Sequence, residues 1–347
     1  MPTRIFLPDP AETGAALVEW FLVHGRDYPW RRTRDAYAIL VSEVMLQQTQ
    51  IPTVLERGYY TRWLERFPDW RTLAVASEAD VLKAWEGLGY YRRARHLHRL
   101  AQVVMEKYGG DFPEDPADIL SLPGIGPYTA GAVASFAFGQ KQPIVDGNIA
   151  RVLSRLFNDA TPVDSTEGRE LLWSRAEALV KATDDPRSLN SALMELGQMH
   201  CRPTKPACEL CPVRTFCRAT EPEALPVKAS RPKLTAVTER VFFLRREDGV
   251  LLEKETGSRR TGLWKLPALP PEFQEHLPPV LLCAHYGITR YKVTLWVHDL
   301  PAGIVDWPDT HRLVPYAELV ALPMPSPYRR ALNELLAQHL EAPFVLQ

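Results

Sequence analysis

The chain has 347 residues, 46% of them hydrophobic and 24% charged, with a formal net charge of −1. That length exceeds a usual single domain and points to two, and the near-neutral balance excludes a uniformly basic coat, so any nucleic-acid surface has to be local. No run is long and apolar enough to span a membrane, the opening MPTRIFLPDP lacks a signal-peptide core, and five cysteines, four of them clustered, do not make a secreted disulfide scaffold; a cytoplasmic protein is expected.

Residues 11–24 form a first helix with Leu17, Trp20 and Phe21 on its apolar side. The loop GRDYPWRRTRDAY follows, and its Arg26, Tyr28, Trp30, Arg31 and Arg32 alternate cations with aromatics. Such a loop either stacks on bases and pairs with phosphates or is a solvated charged turn. The next helix, Asp35 to Gln48, is apolar from Ala36 to Leu46 except at Ser42 and Glu43, so it is expected to be buried around most of its circumference. Burial would raise the proton affinity of Glu43 and suit it to general acid work; the alternative is a narrow exposed stripe. Further helices span 59–108 and are joined through GLGYYRRARHLHR, where Gly87 and Gly89 precede Tyr90, Tyr91 and four arginines. Aromatic and basic residues together suit a kinked duplex, or else core tyrosines beside a solvated face.

The stretch Leu122 to Asn148 reads LPGIGPYTAGAVASFAFGQKQPIVDGN. Gly124 and Gly126 make a tight turn, Pro127 fits the first position of a following helix, and Gly139 fits its C-terminal stop. Helix, hairpin, helix is the expected local structure, with backbone N–H groups available to a phosphate. Asp146 stands just before an amphipathic run, Ile149 to Phe157, as an N-cap or as a functional carboxylate, and the two are compatible. Residues 168–200 give two more helices ending in NSALMELGQMHC.

Cys201, Cys208, Cys211 and Cys217 follow with the spacing C-x6-C-x2-C-x5-C, too crowded for disulfides and suited to a metal. Zinc and an iron–sulfur cluster are both open on ligand type alone. EPEALPVKASRP, at 221–232, reads as a linker. Beyond it the pattern alternates (VFFLRR, GVLLEK, GLWKLP, YKVTLWVHDL) before one helix from Pro327 to Leu340 capped by Ser326, giving a small α+β domain. Cys283 reads as a core thiol there.

LPGIG-x-x-TA with VDGN after it, together with SEVMLQQTQ, resembles the adenine DNA glycosylases of the MutY type, in the helix-hairpin-helix, endonuclease III-like superfamily. The cysteine spacing resembles that family's [4Fe–4S] loop, and TGLWKLP resembles its Nudix-like domain, here without the paired-Glu signature of a nucleotide hydrolase. The resemblance implies a multi-domain protein: an all-α catalytic region with the iron–sulfur loop over 1–225, a linker over 226–235, and an α+β Nudix-like domain over 236–347 that recognises 8-oxoguanine. It implies excision of adenine from A:8-oxoguanine or A:G mispairs in double-stranded DNA by a monomer. Glu43 would be the proton donor, Asp146 the stabilising carboxylate, and Tyr128 and Asn148 their catalytic neighbours. Tyr128 stands where the lyase branch has a Schiff-base lysine, so a monofunctional enzyme is expected. DNA or base contacts are implied for Arg26, Trp30, Arg31, Leu46, Gln48, Thr49, Gly124, Gly126 and Ser191, with Gln48 and Tyr90 filling or wedging the stack. Ser191 is a departure, being shorter than the family's Glu or Gln. Ile288, Thr289 and Arg290 replace the Phe-Ser-His loop, leaving Thr289 its hydroxyl. Glu195 is expected to be a helix-surface or structural carboxylate.

Overall fold

The computed structural model describes residues 8–229, 234–257, 260–273, 275–288, 290–301 and 307–340. In chain order the helices are α1 (Pro10–His24), α2 (Ala36–Leu46), α3 (Ile51–Glu56), α4 (Tyr59–Arg66), α5 (Trp70–Val75), α6 (Glu78–Ala84), α7 (Arg92–Tyr108), α8 (Pro116–Ser121), α9 (Pro127–Phe138), α10 (Gly147–Leu156), α11 (Thr166–Lys181) and α12 (Pro186–Met199). The strands are β1 (Thr235–Phe242), β2 (Gly249–Lys254), β3 (Trp264–Lys265), β4 (Val280–Ile288), β5 (Tyr291–His298) and β6 (His311–Pro315), and helices α13 (Tyr316–Leu319) and α14 (Ser326–Leu340) follow. None of the described helices is long and apolar enough to cross a membrane.

The contacts divide the chain into two compact units, Met1–Thr53 with Asp69–Arg71 and Arg99–Arg231, and Val54–Pro68 with Thr72–His98 and Pro232–Gln347. In the first, α2 is buried from Ala36 to Met45, as its apolar composition requires. Its start is fixed by Asp35, whose carboxylate accepts from the Tyr37 and Ala38 N–H groups. α9 is built of small residues, and Gly131 on it lies against the chain before α10. A Cβ there would sit 2.2 Å from the Pro143 carbonyl oxygen. Gly131→Ala should therefore cost roughly 1–3 kcal/mol of stability, the usual range for overpacking, read as a lowered denaturation midpoint. Leu17, Ile144, Ile149, Leu153, Leu189 and Leu193 belong to the core that joins α1, α10 and α12.

The segment read as a linker is hydrogen-bonded to this unit at Val227 and Ala229. The Val163 N–H donates to the Val227 carbonyl at 3.0 Å and the Ala229 N–H to Asp164 Oδ1 at 2.8 Å. Lack of helical or strand period described its shape but not its hydrogen bonds, which every buried or anchored backbone still needs.

The second unit carries two three-stranded sheets, β1-β5-β4 and β3-β2-β6. β1 runs parallel to β5, β4 antiparallel to it, and β2 pairs antiparallel with both β3 and β6. Val250, Leu252, Leu295, Val297, Tyr328, Leu332 and Leu335 share one core between the strands and α14. Here the structure corrects one expectation: Cys283 is exposed, because β4 alternates and sends it outward. Strands β4 and β6 lay outside the segments read as strands, and β1 begins at Thr235, ahead of VFFLRR. Residues 54–68 and 72–98, although helical, belong to this unit. Arg329 Nε donates to Glu86 Oε1 at 2.8 Å and the Tyr91 hydroxyl to the Met324 carbonyl at 3.0 Å.

Candidate active site

Three helices of the first unit converge on one group of polar side chains. Glu43 comes from the middle of α2 and is 5% exposed. Burial is the main force on its carboxyl and raises its pKa from 4.5 to about 7. A hydrogen bond from Tyr128 pulls it down, the neighbouring Asp146 carboxylate pushes it up, and the Arg31 guanidinium pulls it down again. The carboxyl is thus poised to hold and release a proton near neutrality.

Tyr128 is the second residue of α9, directly after the hairpin. Burial first, then the charges of Glu43 and Asp146, raise its hydroxyl well above the ordinary phenol value, so it acts as a neutral donor. Met194 Sδ lies 3.8 Å from the same hydroxyl. The hairpin has the expected geometry. Gly124 takes φ +78°, a left-handed conformation that disfavours other residues, and Gly126 stands at the N-cap of α9 without a side-chain cap.

Asp146 is the N-cap of α10, and its Oδ1 accepts from the Ile149 N–H at 2.7 Å. Its Oδ2 accepts from Asn148 Nδ2 at 3.1 Å, and Asn148 Oδ1 accepts from Arg151 Nη2 at 3.0 Å. Arginine can only donate, so this order fixes which way the Asn148 amide points. Arg151 is held in turn by the Gly197 and Cys201 carbonyls, each at 2.7 Å. Capping therefore orients one carboxylate oxygen, and a three-residue relay orients the other.

One helical turn further on, Arg155 is 2% exposed and donates to the carbonyls of Arg202, Pro203 and Leu225. Its Nη1 also lies 3.4 Å from Cys201 Sγ. Arg151 and Arg155 were not singled out in the sequence. The available signal was their four-residue spacing on a helix whose remaining residues are largely apolar, which reads equally as a solvated stripe.

Cys201, Cys208, Cys211 and Cys217 are half-buried in the loop after α12. Burial, with the other three cysteines adding, pushes the Cys211 thiol up to about 11, opposed by the Val213 backbone N–H. Cys217 is raised in the same way and opposed by the Ala219 N–H. Among the described residues no three His, Cys, Asp or Glu side chains are drawn together around a point suited to one ion. Thiols that influence one another, two of them with backbone N–H partners, make a soft donor set of the kind that zinc or an iron–sulfur cluster takes.

Several residues expected on a nucleic-acid surface also make contacts within the protein. Arg26 and Arg31 both pair with Glu195, which is fully buried; Arg31 Nη2 lies 2.8 Å from Glu195 Oε2. Arg31 also stacks over Phe21 and Tyr28, at 5.0 and 4.8 Å from the ring centres. Trp30 is 8% exposed and stacks on Tyr28 at 5.2 Å. The loop thus combines ion pairs to a buried carboxylate and ring stacking with guanidiniums that stay exposed, the Arg26 side chain at 44% and that of Arg32 at 65%. Glu195 lies in the interior, not on the helix surface.

Gln48 is exposed with φ +59°, just past α2, and Leu46 and Thr49 beside it are half-exposed. Ser191 is buried on α12. Tyr90, in the other unit, is 42% exposed. Thr289 lies outside the described residues. A cavity of about 530 Å³ is lined by Asn148, Arg151, Gly197, Gln198, Arg202 and Lys205 among others.

The HhH-GPD superfamily base excision DNA repair proteins match residues 41–177, a span that includes Glu43, the hairpin, Tyr128 and Asp146 but not the cysteines. The adenine DNA glycosylase of Homo sapiens is 45% identical over 225 residues, covering 61% of this chain and 41% of that protein. This chain thus matches less than half the length of that relative. The adenine DNA glycosylase of Buchnera aphidicola subsp. Baizongia pistaciae is 34% identical over 262 residues, covering 74% of this chain and 72% of that one. A solved thermostable thymine-DNA glycosylase superposes with a TM-score of 0.56 at 32% identity, over 61% of this chain and 97% of its own.

Proposed function

The chain belongs to the adenine DNA glycosylase family of the HhH-GPD superfamily of base excision DNA repair proteins, and from that premise we propose that it hydrolyses the N-glycosidic bond of adenine mispaired with 8-oxoguanine or guanine. The observation that carries the reading is the pairing of Glu43, protonated up to about pH 7, with a capped and oriented Asp146 on the neighbouring helix. The adenine is extruded from the stack to reach them. Glu43 gives its proton to the base, which would otherwise leave as a poor anion. Positive charge then grows on the sugar, as in glycoside hydrolysis, and Asp146 stabilises it. Asn148 and Arg151 hold Asp146 in place, and Tyr128 keeps the donor carboxyl oriented.

The reaction stops at the abasic site. Tyr128 occupies the position from which a lysine would form a Schiff base, and a phenol cannot. The neutral hairpin amides and Gln48 contact the DNA backbone and the opened stack, and Tyr90 wedges the strand carrying 8-oxoguanine. Residues 236–347 supply a Nudix-like domain that reads the damaged base. The protein acts as a monomer on double-stranded DNA.

Cys201, Cys208, Cys211 and Cys217 hold a [4Fe–4S] cluster, which supplies a rigid loop that Arg155 ties to α10. Purified protein should be brown and contain about four iron atoms per chain. Anaerobic preparation yielding stoichiometric zinc and no iron would overturn that assignment.

The test of the function is single-turnover base release from a panel of duplexes carrying A:8-oxoguanine, A:G, A:T or T:G. Release is expected from the first two. Release from T:G alone would favour the activity named for the thymine-DNA glycosylase that shares this fold.

A further inference from the structure

Tyr90 has φ +47°, a left-handed backbone that costs a residue with a side chain roughly 1–2 kcal/mol. Such a conformation persists only where its surroundings over-determine it. From within the helical segment, Trp85 Nε1 donates to the Gly89 carbonyl at 3.0 Å. Arg93 Nη2 donates to the Leu88 and Gly89 carbonyls at 3.0 and 3.2 Å, with its guanidinium over the Trp85 and Tyr90 rings at 5.2 and 5.5 Å.

The remaining supports come from the C-terminal residues of the same unit. On one side of Tyr90, Glu86 accepts from Arg329 Nε at 2.8 Å and from Lys83 Nζ at 2.5 Å. Arg329 is itself fixed by the Leu319 and Leu322 carbonyls at 2.7 and 2.5 Å. On the other side the Tyr91 hydroxyl donates to the Met324 carbonyl at 3.0 Å, and Tyr91 is buried. The Arg329 and Glu86 side chains are only 18% and 15% exposed, so this pair is more than a surface contact. Both flanks of Tyr90 are thus fastened to the start of α14 and the turn before it, while Tyr90 itself stays 42% exposed.

We infer that Arg329, with the α13–α14 turn, is a positioning element for Tyr90, so that the C-terminal residues hold the stack-wedging side chain in its working geometry as well as meeting the damaged base. This rests on the reading of Tyr90 as the wedge. It makes opposite-base recognition and stack opening one mechanical unit.

The experiment measures affinity of the full-length protein for A:8-oxoguanine duplex in a Glu43→Gln background, where the base is not removed. A fluorescent base analogue beside the 8-oxoguanine reports unstacking. Arg329→Met is expected to weaken binding by roughly 2- to 30-fold, the range for residues acting through an intermediary, and to reduce the unstacking signal. Glu86→Gln and Tyr91→Phe, milder changes that keep shape, should act in the same direction if Arg329→Met fails to fold. In a Tyr90→Ser background none of these should weaken binding further. Equal losses with and without Tyr90 would overturn the inference, because Arg329 would then act independently of the wedge. A loss with Tyr90→Ser but none with Arg329→Met, Glu86→Gln or Tyr91→Phe would also overturn it. No loss with Tyr90→Ser itself would instead remove the premise that Tyr90 is the wedge.

Discussion

Replacing Glu43 by Gln should lower single-turnover adenine release by about 10²–10⁴-fold while leaving duplex binding within a few-fold of the wild type. Gln keeps the size and one hydrogen bond but has no proton to give. Binding survives because hairpin amides and backbone contacts supply most nucleic-acid affinity and Glu43 supplies none of it. The same carboxyl sets the pH dependence. With its pKa raised to about 7, the acid form predominates below that value, so release should fall as pH rises through about 7. Near-normal release by the variant, or a profile flat from pH 6 to 8, would remove Glu43 from the chemistry.

Stability should fall over the same range. The native state holds the Glu43 proton up to about pH 7, against an ordinary carboxyl value of 4.5. Between those limits the folded state binds more protons than the unfolded one, so this contribution is full below pH 4.5 and is lost as pH rises through about 7. The difference corresponds to about 3 kcal/mol. Glu43→Gln, carrying no ionisable group, should therefore be more stable than the wild type at pH 8, with the gap closing toward pH 4.5. A functional carboxyl held in an apolar helix is a local cost, and thermal unfolding across that range reads it directly.

Asp146→Asn should likewise abolish most base release, by about 10²–10³-fold, with little change in folding. Asn caps a helix as well as Asp does, so α10 keeps its start, while the charge opposing the sugar cation is gone. Asp146→Ala should lose activity and also about 1 kcal/mol of stability with the cap. The contrast separates the two roles that one carboxylate holds at the head of α10. Equal activity of the Asn variant and the wild type would reduce Asp146 to a cap.

The helical part was legible because its signals are local. α2 declared its burial through an unbroken apolar run, α9 its bounds through Pro127 and Gly139, and α10 its start through Asp146. What tunes Glu43 was not legible, since Tyr128, Asp146 and Arg31 reach it from other elements. The partners of the Arg26–Trp30–Arg31 loop were hidden for a similar reason. A guanidinium answered by a distant buried Glu195 looks, in sequence, the same as one facing phosphate. β4 escaped notice because its outward positions include Cys283 and Gly287, so the alternation of the folded strand is faint in the residue types. The association of residues 54–68 and 72–98 with the C-terminal residues of their unit depends on pairs such as Glu86 and Arg329, which no local pattern announces.

Glu43 and Asp146 together should remove adenine and go no further. The decisive experiment incubates the wild-type protein with an A:8-oxoguanine duplex, identifies the released base by chromatography, and runs the DNA strands before and after alkali. Free adenine is expected, with an intact strand that breaks only on alkaline treatment. Breakage without alkali, or no free adenine while iron content and folding are normal, would contradict it.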